Sequence, residues 1–178
     1  NGAGTSYNVA VGHQAGTSVT TGQKNTLIGG LAGENLEGTS NIAVGYNALG
    51  DGAVNNASGY NIGIGVDAAK SLGDARFNVV IGGEAGDALT TGGSNVVMGH
   101  GALSSEDGHG KNTALGSFAL QDLNAGAGAE NVAVGYVAMA EATTGQFNTA
   151  VGSRAMQTGI TTGNYNIAIG YKSGEQLT

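Results

Sequence analysis

Asn41-Ile42-Ala43-Val44-Gly45-Tyr46-Asn47-Ala48 and Asn166-Ile167-Ala168-Ile169-Gly170-Tyr171 are two copies of one phrase: Asn, a branched residue, a small residue, an aliphatic, then Gly. The phrase recurs from Asn8, Asn25, Asn41, Asn61, Asn78, Asn95, Asn112, Asn131, Asn148 and Asn166, at intervals of 17, 16, 20, 17, 17, 17, 19, 17 and 18 residues. Each copy ends on a glycine: Gly12, Gly29, Gly45, Gly65, Gly82, Gly99, Gly116, Gly135, Gly152 and Gly170. A near-constant period running from one end to the other reads as stacked coils, one per copy. The fold class is therefore all-β, a parallel β-solenoid of about ten 17-residue coils, with residues 1–178 as a single repeat domain.

Counting each Asn as position zero, positions one and three are branched or aliphatic throughout, and strand alternation puts them on one face. The expectation is that this pair fills the coil interior, while the small residue at position two lies on the opposite face. The position-four glycine suits a sharp corner entered with positive φ. Position seven is Ala in nine copies and Ser173 in the tenth, which predicts a second, shorter strand returning across a thin coil. The remainder is polar, as in Thr20-Thr21-Gly22, Thr90-Thr91-Gly92, Thr143-Thr144-Gly145 and Thr161-Thr162-Gly163, a turn composition that absorbs length differences in 50–60 and 121–130. The repeated Asn has two readings: a turn residue in the left-handed region, or one rung of a side-chain ladder between coils about 4.8 Å apart. Both are structural.

Ten such coils make a rod roughly 48 Å long. So thin a coil offers little interior to offset backbone ordering. Association through the position-two face is expected to supply the deficit, and a homotrimer is the closed solution that suits a rod.

Composition narrows function. Thirteen acidic against six basic residues give −7 with no basic stripe, so nucleic acid lacks its electrostatic footprint. No apolar run reaches the roughly 18 residues of a membrane span, so no membrane insertion is expected. Zero Cys excludes thiolate metal sites and disulfides. Glycine is abundant, 35 residues, but the apolar residues sit in register, which argues against disorder.

The phrase Asn-x-Ala-Val-Gly-x-x-Ala with its Thr-Thr-Gly loop resembles the repeats of phage tail fibre proteins. It is similar, with a longer period, to the head repeats of trimeric autotransporter adhesins. The resemblance covers essentially the whole chain. It implies a segment of a longer fibre, a shaft or head supporting host-receptor attachment, located in a virion or at a cell surface. Its implied partners are two further copies, other fibre or tail proteins and a host surface glycan; the alternative it implies is a bacterial surface adhesin head that binds glycan or matrix protein.

No catalytic constellation or cofactor motif emerges. His13, His100 and His109 are scattered. The loop containing Glu106, Asp107 and His109 offers metal-type ligands but reads as a solvated acidic loop, and no metal is assigned. Left-handed hexapeptide acyltransferases are the enzyme alternative; the chain lacks their six-residue subperiod. Four Thr-Thr-Gly loops are too few for an ice-binding array. Aromatic residues gather at position minus one (Tyr7, Tyr60, Phe77, Phe147, Tyr165) and position five (Tyr46, Tyr136, Tyr171). They either pack at corners and between subunits or stack on sugar rings.

Overall fold

The computed structural model describes residues 6–51, 59–124, 129–158 and 162–175. Thr161 and the inserted parts of the two longest loops, 52–58 and 125–128, lie outside them. Every copy of the phrase forms one three-residue strand: β1 Val9–Val11, β2 Thr26–Ile28, β3 Ile42–Val44, β4 Ile62–Ile64 and β5 Val79–Ile81. The series continues as β6 Val96–Met98, β7 Thr113–Leu115, β8 Val132–Val134, β9 Thr149–Val151 and β10 Ile167–Ile169. These ten pair in chain order, all parallel, and no helix occurs among the described residues. Register holds across every interval: Ile42 meets Ile62 over the 20-residue step, and Thr26 meets Ile42 over the 16-residue step. The architecture is a parallel β-solenoid of about nine turns.

The faces are inverted relative to the sequence reading. Position two is the interior: Leu27, Ala43, Val80, Val97, Ala114, Ala133 and Ala150 are buried, whereas Val11, Ile28, Ile64 and Met98 at position three are exposed. The coil is too thin to enclose two aliphatics per strand, so the small side chain turns inward and the branched pair outward. It meets Ala32, Ala48, Ala68, Ala85, Ala102, Ala119, Ala138 and Ala155 of position seven, all fully buried. Position eleven completes the interior with Leu36, Leu72, Leu89 and Leu123. Association through the position-two face is thereby ruled out.

The expected second strand is a run of turns. Its coils are still tied together, position eight donating its amide to the position-seven carbonyl of the next coil: Gly16 to Ala32 (3.0 Å), Leu49 to Ala68 (3.1 Å), Met139 to Ala155 (2.9 Å). Extended geometry is prevented by left-handed backbone at positions six and eight, in every coil. Among the described residues positive φ occupies four columns: minus one (42–66°), six, eight and the corner glycine (123–139°). Described non-glycine residues adopt it 25 times, including the branched Val137. Such conformations cost about 1 kcal/mol or more each; here inter-coil bonds such as Lys24 N–H to Ser6 O (2.7 Å) and Leu31 N–H to His13 O (2.9 Å) hold them in place.

Candidate functional site

The repeated asparagines form the ladder, and the left-handed reading of them is incorrect: none has positive φ. Asn25, Asn41, Asn61, Asn78, Asn95, Asn112, Asn131 and Asn148 are buried. Each rung is a backbone amide donating to the side-chain oxygen of the preceding Asn, as in Asn25 N–H to Asn8 Oδ1 (2.8 Å) and Asn95 N–H to Asn78 Oδ1 (2.9 Å). The Nδ2 group reaches across its own coil to a loop carbonyl, Asn78 to Gly92 O at 2.9 Å and Asn131 to Gly145 O at 2.7 Å. Where these bonds form, the Asn groups are consumed in closing the coils; Asn112 Nδ2 makes none among the described residues. The corner glycines are equally committed, since a Cβ at Gly82 would stand 2.5 Å from Gly99 O.

What remains for partners lies on three surfaces. The first is the outward face of the sheet, where positions one and three expose Val9, Val11, Ile28, Ile42, Ile64, Val96, Met98, Ile167 and Ile169, with the same positions of β5, β7, β8 and β9 half-buried. Position three is an apolar ribbon in every coil, while Thr26, Thr113 and Thr149 interrupt position one.

The second is the edge at position minus one. All eight aromatics singled out from the sequence are exposed: Tyr7, Tyr46, Tyr60, Phe77, Tyr136, Phe147, Tyr165 and Tyr171. Left-handed backbone at position minus one sets the rings in a column parallel to the stack. Tyr60 and Phe77 lie face to face with centroids 5.4 Å apart, and Phe147 and Tyr165 at 4.9 Å. At position five the three tyrosines are separated by intervening coils, and His100 Nδ1 donates to Gly83 O (2.9 Å) with its ring edge-on to Phe118.

The third is the loop side. The acidic loop is not solvated as expected: Glu106 is fully buried. It occupies position eleven, the column that Leu72, Leu89 and Leu123 fill elsewhere. A charge there needs compensation, and it comes from the amides of Gly108 (3.3 Å) and His109 (2.8 Å) and from His109 Nδ1 (2.6 Å). Asp107 completes a group whose ligand atoms lie within 4.8 Å of one another. The hydrogen bonds to Glu106 account for its burial without a further ligand. Aligning copies by register would have exposed this substitution in the sequence.

A second acidic contact was also missed. Glu37 accepts from the amides and hydroxyls of both Thr20 and Thr21, four bonds of 2.7–3.0 Å. Partial burial works to raise its carboxyl, but these four donors outweigh it and hold the group at about 2, against an ordinary 4.5. The Thr-Thr pair is thus a carboxylate clamp between coils. Compared with protein-family models, curated proteins and solved structures, the chain matches none of them.

Proposed function

We propose that the chain is a non-enzymatic structural module, the shaft or head of a phage tail fibre, working as a homotrimer in host attachment. The observation that carries this reading is the apolar ribbon on the outward sheet face. Water contact along so long a row of Val, Ile, Leu and Met is unfavourable. Copies packed about a threefold axis parallel to the stack would cover it, position one turned to one neighbour and position three to the other. The repeat resemblance supplies the fibre context. The polar groups of the repeat are spent on joining coils, which supports stiffness rather than catalysis. Tail and fibre proteins would continue the assembly along its axis, in a virion or at a cell surface. The exposed aromatic edge favours a second reading, a bacterial adhesin head that itself grips a glycan.

Sedimentation equilibrium tests the trimer: the expected mass is three times 17.3 kDa. Met98→Lys, which places a charge in the middle of the ribbon on a residue 43% exposed, should release folded monomers. A wild-type chain that is folded and monodisperse at 17.3 kDa overturns the proposal.

A further inference from the structure

We propose that the edge around Phe77, Ser94 and Lys111 binds an acidic sugar residue of a surface glycan. In coil order, position minus one reads Lys24, Ser40, Tyr60, Phe77, Ser94, Lys111, so the stacked pair is flanked on each side by a serine and then a lysine. Phe77 spends one ring face on Tyr60. Its other face looks toward Ser94, whose short side chain leaves a slot before Lys111. Two coil steps separate Phe77 from Lys111, about 9.6 Å. Once the thickness of the phenyl ring is allowed for, that admits one saturated six-membered ring lying flat on Phe77. Phe77, Ser94 and Lys111 are all exposed, so the slot is open to solvent.

Charge decides which sugar. The chain as a whole carries −7, yet positions minus two and minus one hold Lys24, Arg76 and Lys111 against Glu130 alone. Half of the protein's six cations thus lie on an edge that also carries five of its nine aromatic residues. Lys111 Nζ bonds Glu130 Oε1 at 2.8 Å, with side chains 66% and 42% exposed. That contact shows the ammonium reaching a carboxylate at this edge, and such an exposed pair exchanges readily with another carboxylate. A neutral sugar would use the ring face alone. A uronic or sialic acid uses the face, the Ser94 hydroxyl and the ammonium together. The other stacked pair, Phe147 with Tyr165, has Glu130 beside it and no lysine at position minus one of the adjoining coils, which makes it an internal control.

The inference rests on the fibre reading only in that this edge must lie outside the subunit contact. Isothermal titration calorimetry with a galacturonate trisaccharide and with its methyl ester, on samples whose mass is measured by sedimentation, tests both separately. The acid should bind, the ester about tenfold more weakly, and added salt should weaken the acid. Ser94→Phe fills the slot with a residue the same register position accepts in Phe77 and Phe147. It should lower affinity for the acid at least about tenfold, as should Lys111→Ala, while Phe147→Ala changes nothing. No binding of the acid, equal binding of acid and ester, or unchanged affinity in Ser94→Phe overturns the proposal. So does a change of mass in Ser94→Phe, which would place the edge between subunits. A trimer that ignores the trisaccharide leaves the fibre reading standing, and a monomer that binds it leaves only the site.

Discussion

Single residues in this chain act through their coil neighbours, so the cost of changing one is set by what the adjacent coil places against it. Gly82 has φ +139° and only 2.5 Å between a would-be Cβ and Gly99 O. A backbone atom cannot give way as a flexible side chain can. Gly82→Ala is expected to lower stability by about 3 kcal/mol or more, read from chemical denaturation. Glu37 provides a residue-scale pH dependence. Its carboxyl is depressed on folding, so its contribution is fully present above 4.5 and disappears as pH falls through about 2. NMR titration should place its midpoint near 2, and the amides of Thr20 and Thr21 should lose protection over that window. Glu37→Gln should make stability less sensitive to acid in the same range.

At the scale of the element, the size of position two is offset in several places by that of position eight in the same or the preceding coil. Leu27 approaches Gly16 and Gly33, where an added Cβ would lie 2.7 and 2.6 Å from its methyl carbons. Gly63 instead lies under Leu49, whose Cγ would be 2.9 Å from a Cβ. Ala114, Ala133 and Ala150 accompany Leu120, Met139 and Met156, all buried. Gly63→Val should therefore destabilise by about 1–3 kcal/mol through overpacking. Paired with Leu49→Ala it should recover part of that loss, and a double-mutant cycle measures the coupling. This balance also explains what the sequence could and could not convey. Strand positions, parallel stacking and corner glycines followed from the period. Which face turns inward did not, because alternation separates two faces without stating how wide the enclosed space is. The left-handed columns were hidden as well: Lys24, Leu31 and Val137 carry no propensity for positive φ, and only inter-coil hydrogen bonds hold them there. The aromatic edge was legible as a column at position minus one, but not the pairing of its rings. Glu106 was legible only as an acid in a loop until its register with the leucines was fixed.

For the whole molecule, nine steps at about 4.8 Å give a rod roughly 43 Å long. Its walls differ in character: an aliphatic ribbon, an aromatic and cationic edge, and a loop side rich in carboxylates. Solenoid stability is carried by contacts between nearest neighbours, which makes the molecule uniform in its backbone and varied in its details. A perfectly uniform ladder would be free to pair one rung out of place. Here the intervals of 16, 20, 19 and 18 residues interrupt the regular 17, so a chain displaced by a single coil would find its loops too short or too long. The alternating bulk inside, Leu27 beside glycine and Gly63 beneath leucine, would then clash or leave holes. The irregularities of the repeat thus serve as the teeth of a key, giving an otherwise interchangeable ladder one correct alignment.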